Sequence, residues 1–352
     1  MSEQHINPYL AYLGSFKKVH KCQYNCISLF SGGGGLDLGA YCAGFESKFV
    51  SDIKPAYTAT IKRNLPHVTV YNDDAMKLTA EKIRGMSGIT GTIDLIIAGP
   101  PCQSFSIMGK RNSLDDPRGQ LTIKYFDLIA SLQPRVFLFE NVPGLLTVNE
   151  GKDFSTLWDF IQQKTGYILF RNVLKATDFG VPQIRERLFI IGFRPDVVSD
   201  GFKFPEKSSA EKKFGLPLPV PSGLALENID GLPNHEIRIH TPNVVERFKK
   251  VPQGKRDKGS YCDRLDPSLP SHTILIGSSV GGARPHIHPT EHRVLTVREA
   301  ARIQSFPDWY EFGGGRTEQY RQVGNAVPPL LAYEVIRQIK SVLDSQPQTG
   351  HK

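Results

Sequence analysis

Cysteine is scarce in this chain: five in 352 residues, at positions 22, 26, 42, 102 and 262. So scattered and odd-numbered a set excludes the dense disulfide framework of a small secreted domain, and reduced thiols are expected. Cys22 and Cys26 have a metal-like spacing, yet no second close pair follows to complete a four-ligand zinc site, so no metal is expected. Long apolar runs are missing as well. Runs such as 95–98, 136–139 and 188–191 fall far short of the roughly 20 residues that cross a bilayer. The opening Met1-Ser2-Glu3-Gln4 lacks the basic stretch and apolar core of a secretory signal, so the expectation is a cytoplasmic protein with no membrane partner.

What is present describes a folded enzyme-sized chain. A hydrophobic fraction of 39% excludes a disordered or collagen-like polymer, and the length suits two domains. Lys and Arg number 43 against 35 Asp and Glu, a surplus of eight positive charges that favours an anionic partner. From about residue 23 to 192, short β-branched or apolar runs alternate with longer amphipathic stretches, the pattern of an α/β domain with a mainly parallel sheet. Strands are predicted over 26–30, 48–51, 68–71, 94–98, 135–139 and 187–192, and helices over 36–43, 55–64, 121–132 and 153–164. Composition changes after Arg194. Up to about Arg293 prolines are many, convincing helices few, and six of the ten histidines gather with Lys249, Lys250, Lys255, Arg256 and Lys258. Helical spacing returns over 297–304 and 329–343. The predicted division is an α/β domain of 1–193 and 318–352 around a smaller, loop-rich domain of 194–317.

The chemistry-bearing residues fall at strand ends. The first strand runs into Phe30-Ser31-Gly32-Gly33-Gly34-Gly35-Leu36, where glycines allow a ligand close to the backbone and to free amides of the following helix. The spacing fails G-x-G-x-x-G, because Leu38 stands where the third glycine belongs, which disfavours NAD and FAD. Asp52, about 20 residues on, sits where an acid can hold ribose hydroxyls, or else cap a helix. Asp74 follows the third strand, with a cap or turn as its plainer reading. The fourth strand ends in Gly99-Pro100-Pro101-Cys102-Gln103, and the crevice beyond parallel strand ends is the usual ligand site. An exposed thiolate there is a strong nucleophile. Glu140 follows four apolar residues, so partial desolvation should favour its protonated form and suit a general acid. Arg185 and Arg187 alternate onto one face, able to polarise a carbonyl oxygen or hold a phosphate.

Six segments in order, Phe30-Ser31-Gly32-x-Gly34-Gly35, Pro101-Cys102-Gln103, Glu140-Asn141-Val142, Gln183-x-Arg185-x-Arg187, Arg298-Glu299-Ala300-Ala301-Arg302 and Gln322-Val323-Gly324-Asn325-Ala326-Val327, resemble the DNA (cytosine-5)-methyltransferases. The resemblance spans nearly the whole chain, with Ser28 standing where many members carry Asp. It implies a Rossmann-like domain that uses S-adenosylmethionine, yields S-adenosylhomocysteine, and carries a target-recognition domain between the arginine motif and the Arg298 motif. By resemblance, Cys102 adds to carbon 6 of cytosine, Glu140 acts at N3, Arg185 and Arg187 hold the base oxygen and orient Glu140, and Asn141 braces the cysteine loop. The implied cofactor contacts are Phe30, Ser31, Gly32, Gly34, Gly35, Leu36, Asp52 at the ribose, Ile53, Asp74 at the adenine, Ala75, Pro100, Leu121, Asn325 and Ala326. The target base must leave the duplex stack to react. Gln103, Ser106, Met108, Lys110 and Arg111 are expected on the DNA-closing loop, and Lys255, Arg256, Arg264 and Arg284 at phosphates or base edges. The partners expected are double-stranded DNA and a cognate restriction endonuclease acting on the same site without a stable complex, the enzyme itself being a monomer. The rival readings are methylation of tRNA by the same chemistry and a catalytically silent DNA-binding homologue.

Overall fold

Short runs with alternating or continuous apolar character become seven strands in the computed structural model, which describes residues 7–16, 22–101, 117–197, 201–207, 214–260, 262–276, 283–284 and 286–346. They are β1 (Tyr24–Leu29), β2 (Phe45–Ser51), β3 (Thr69–Tyr71), β4 (Leu95–Ala98), β5 (Val136–Asn141), β6 (Ile168–Lys175) and β7 (Glu186–Phe193), in the order β3-β2-β1-β4-β5-β7-β6. β1 to β5 run parallel, and β7 runs antiparallel to both of its neighbours. From β1 the chain builds outward through β2 and β3, then restarts on the other side with β4. The switch leaves a crevice at the carboxyl ends of β1 and β4.

Side chains of the central strands alternate between two cores, as the period of two requires. Ile27, Leu29, Ile96, Phe137 and Phe139 pack on one face with Tyr125, Phe126 and Ile129 of the helix Pro117–Leu132. Cys26, Leu95, Ile97, Val136 and Leu138 face the other core, with Leu38 of the helix Gly35–Cys42 and Leu331, Val335 and Ile339 of the helix Pro329–Asp344. The six predicted strands are all present with ends shifted by a few residues, and the helix predicted over 55–64 is Pro55–Asn64.

The differences have local causes. β6 was not predicted because it is an edge strand whose residues are mostly exposed or half-buried, so no clean alternation marks it. Its Arg171 instead lies over the rings of Phe154 and Trp158. The helices Pro8–Gly14, Ala80–Ser87, Pro242–Lys249 and Arg316–Asn325 are short, and short helices depend on caps and tertiary packing more than on period. Asn7 caps the first of them and also donates to the Leu224 carbonyl, while Tyr9 hydroxyl donates to the Arg302 carbonyl. The segment 194–317 contributes to two cores. Phe248, Cys262, Ile287 and Val294 form a small cluster of their own, whereas Leu216, Ala225, Leu295, Ala300 and Phe306 join the large core beneath the sheet. A short antiparallel pair, β8 (Leu275–Ile276) and β9 (Ala283–Arg284), lies within this segment. Among the described residues no helix is long and apolar enough to cross a membrane.

Candidate active site

The glycine turn begins where β1 ends. Phe30, Gly32 and Gly34 have φ of 55°, 54° and 79°, a left-handed run that glycine adopts freely and Phe30 only when its surroundings hold it. The clamp comes from behind. A Cβ on Gly34 would stand 2.2 Å from the hydroxyl oxygen of Tyr310, and that hydroxyl donates to the Gly33 carbonyl at 2.9 Å. Asp37 lies fully buried in the first turn of the helix that follows, and its two oxygens make no well-formed hydrogen bond among the described residues. Burial raises its pKa to about 7, tempered by the Ser28 hydroxyl and its own helix amide.

Asp52, one residue past β2, faces the turn. Its two carboxylate oxygens accept from Gly32 N and Lys54 N, each at 2.9 Å, so the side chain is oriented by backbone on both sides. Burial holds its pKa above the ordinary value, against these two hydrogen bonds and the Lys54 charge. Lys54, not Asp52, is the N-cap residue of the next helix. Asp74 does cap, accepting from Met76 N at 2.9 Å at the start of the 3-10 turn Ala75–Lys77.

Antiparallel β7 explains the acid-and-arginine corner. A strand entering the sheet against the direction of β5 begins beside the carboxyl end of β5, which places Arg185 and Arg187 at the rim where Glu140 emerges. Arg187 Nε lies 2.8 Å from Glu140 Oε1. The other carboxylate oxygen lies over Gly99, where a Cβ would stand 2.8 Å from it. Burial pushes the Glu140 carboxyl above the usual carboxylate range, and Arg187 and Arg185 pull in the opposite direction. Arg185 is buried and donates Nη2 to the Gly324 carbonyl at 2.9 Å. Burial first and the neighbouring Arg187 charge second bring Arg185 down to about 9, which leaves it cationic at neutral pH. Its Nε is buried without a hydrogen-bond partner among the described residues, a donor facing an unfilled demand. Asn141 donates to the Pro100 carbonyl at 3.3 Å and accepts from Val142 N at 2.8 Å.

One cleft of ≈ 660 Å³ collects these groups, a size suited to a nucleotide-like ligand. Phe30, Ser31, Gly32, Gly35, Leu36, Asp52, Ile53, Asp74, Ala75, Pro100, Leu121, Asn325 and Ala326 line it, together with Glu140, Asn141, Arg185 and Arg187. Gly34 is not among the lining residues and serves to turn the chain against Tyr310. Cys102, Gln103, Ser106, Met108, Lys110 and Arg111 lie outside the described residues, although Pro101, directly before Cys102, lines the cleft. The Arg284 side chain is likewise outside them.

Of the basic residues expected on DNA, Arg264 is placed otherwise. It is buried, and its guanidinium donates to the carbonyls of Phe248, Val251, His288 and Glu291 at 2.6 to 2.9 Å, so it organises the small cluster rather than reaching a phosphate. Lys255 and Arg256 are exposed, and Arg256 is paired with Asp263 at 2.7 Å. Among the described residues no group of three or more His, Cys, Asp or Glu is arranged to hold a metal. Thr273 and Ile274 also line the cleft and were not predicted, because nothing in their local sequence marks a segment that returns to Ile184 and Gln183, 89 and 91 residues away. Tyr310 was missed for a similar reason.

Comparison with known proteins agrees with this geometry. A profile of the C-5 cytosine-specific DNA methylases matches residues 24–341. Type II methyltransferase M.XorII of Xanthomonas oryzae pv. oryzae is 35% identical over 92% of this chain and 86% of its own. M.NgoFVII of Neisseria gonorrhoeae is 36% identical over 89% and 85%. A DNA modification methyltransferase encoded within an Escherichia coli prophage superposes with a TM-score of 0.72 at 30% identity, covering 92% of this chain and all of that one. S. pombe Dnmt2, at 19% identity and a TM-score of 0.67, shares the fold. A glycine turn backed by Tyr310, an acid paired to an arginine at one rim, and a family match over nearly the whole length lead to one assignment: the chain belongs to the C-5 cytosine-specific DNA methylase family.

Proposed function

We propose that the protein is a Type II DNA (cytosine-5)-methyltransferase that modifies a cytosine swung out of duplex DNA, using S-adenosylmethionine. The observation that carries this reading is the pairing of Glu140 with Arg187 beside Arg185 Nε, which has no hydrogen-bond partner among the described residues, in the same cleft as the glycine turn. The cleft suits the methyl donor. Asp52 presents a backbone-oriented carboxylate for ribose hydroxyls, and Ile53, 66% exposed at the cleft edge, offers with Phe30 an apolar face to a flat ring. When bound, S-adenosylmethionine supplies an electrophilic methyl group on a sulfonium.

The residues then divide the work. Cys102, covalently next to Pro101 at the cleft, adds as thiolate to carbon 6 of the cytosine. Glu140, whose burial favours its protonated form, donates to ring nitrogen N3 as the electrons move, which turns carbon 5 into the nucleophile. Arg185 Nε meets the base oxygen O2, and Arg187 fixes the carboxyl that faces N3. After methyl transfer, loss of the carbon 5 proton to a base expels the Cys102 thiolate, giving 5-methylcytosine and S-adenosylhomocysteine. Asn141 holds the Pro100 carbonyl and so the approach to Cys102. A target-recognition unit within 194–317 selects the sequence, with Lys255 and Arg256 at the backbone, and a separate endonuclease cuts the same site when it is unmethylated.

Labelled methyl transfer to duplex DNA beside tRNA tests the reading. Label in DNA, a covalent adduct with 5-fluorocytosine that Cys102→Ser abolishes, and a single bisulfite-mapped sequence are the expected results. Label in tRNA alone, or in neither, overturns it.

A further inference from the structure

Gln183 is fully buried where the recognition segment, the sheet and the cofactor wall meet. Its backbone pairs with Ser271, flanked by Ile184 N to Ser271 O at 2.8 Å and Ser271 N to Pro182 O at 3.0 Å. Thr273 adds a hydroxyl bond to the Ile184 carbonyl at 2.7 Å. The side chain reaches both ways. Oε1 accepts from Ile274 N at 3.3 Å, and Nε2 donates to Oε1 of Gln304, itself fully buried. Gln304 Nε2 in turn donates to the Ala326 carbonyl. Ile274 and Ala326 both line the cleft.

This relay has a direction. Every link sets a donor against an acceptor, so turning either amide alone would bring two like groups together in a fully buried site. Arg185, two residues along, grips the end of the helix Arg316–Asn325 through the Gly324 carbonyl. The segment 271–274 continues directly into the β8–β9 pair of the unit read above as DNA-facing. We infer that Gln183 is a positioning residue that couples the two ligands of the cleft: DNA engaged at 271–274 firms the 324–326 wall around the methyl donor, and the donor firms the DNA-facing segment in return. Such coupling is reciprocal by thermodynamic necessity. It rests on the proposed function, since it needs both DNA and S-adenosylmethionine as ligands.

The test measures the affinity of the full-length protein for S-adenosylhomocysteine with and without a saturating duplex that carries the bisulfite-mapped sequence. The wild type is expected to bind at least about fivefold more tightly with the duplex. Gln183→Met has a similar length but offers neither donor nor acceptor, so it cuts the relay to Gln304 and Ala326. Its ratio should fall to about one while the affinity for each ligand alone changes little. Gln304→Met cuts the relay at its second link and should behave alike. A readout free of variants is amide hydrogen exchange of residues 322–327 in the wild type, which the duplex should slow. A wild-type ratio of one, an undiminished ratio in a folded variant, or unchanged exchange overturns the inference. Failure of the wild type to bind S-adenosylhomocysteine or duplex at all overturns the functional reading itself, and this inference with it.

Discussion

The desolvation of Glu140 was legible because a carboxyl follows four apolar residues at a strand end, and its burial and raised proton affinity agree with that logic. Glu140→Gln should lower kcat by about 10²- to 10⁴-fold with the affinity for S-adenosylhomocysteine intact, read by single-turnover transfer and direct titration. Undiminished kcat would remove it as the acid. Asp37 leads to a separate expectation about stability. Its folded pKa of about 7 lies above the ordinary value of 3.8, so the folded chain binds the proton more tightly than the unfolded one. Stability from this group is full at acid pH and declines as pH rises to about 7, then stays low. Asp37→Asn should flatten that decline and raise stability at pH 8 by about 1 to 4 kcal/mol, measured by denaturant melts across pH. Arg264 shows where reading single residues fails. A basic residue in a basic stretch looks like a DNA contact, and only tertiary structure reveals the carbonyls that claim its guanidinium.

At the scale of elements, the parallel strands declared themselves because burial on both faces leaves continuous apolar runs. The sense of β7 did not, since a buried strand reads alike in either direction, and its antiparallel entry is what brings Arg185 and Arg187 to Glu140. The glycine turn was visible as composition, but its support by Tyr310 is a contact between residues 277 apart in sequence. Gly34→Ala should therefore strain the backbone and collide with the Tyr310 hydroxyl, costing about 1 to 3 kcal/mol and most of the cofactor affinity. Tyr310→Phe removes only one hydrogen bond, about 1 kcal/mol, and should weaken cofactor binding with kcat nearly preserved. Equal damage from both variants, in melts and cofactor titrations, would count against the clamp.

For the whole molecule, a surplus of eight positive charges predicts association with DNA that weakens steeply with salt. Lys255→Ala, at an exposed position, should weaken binding across all sequences and reduce the log-log salt slope by about 1, read by titrations over a range of salt. Arg264→Ala should leave that slope unchanged and lower thermal stability instead, by about 3 kcal/mol, because several carbonyls lose one shared donor. The opposite pattern would return Arg264 to the DNA surface. The expected boundary at 194 follows a real change of composition, yet apolar residues such as Leu216 and Leu295 pack into the large core, which composition cannot anticipate.

Glu140 and Arg187 stand on strands laced together from Val136 and Phe193 to Asn141 and Leu188. Their separation is thus set by the ladder of the sheet and by no loop. Whatever rearrangement admits a nucleotide from one side, the acid keeps the same electrostatic company, and the titration governing turnover should look alike for tight and poor DNA substrates.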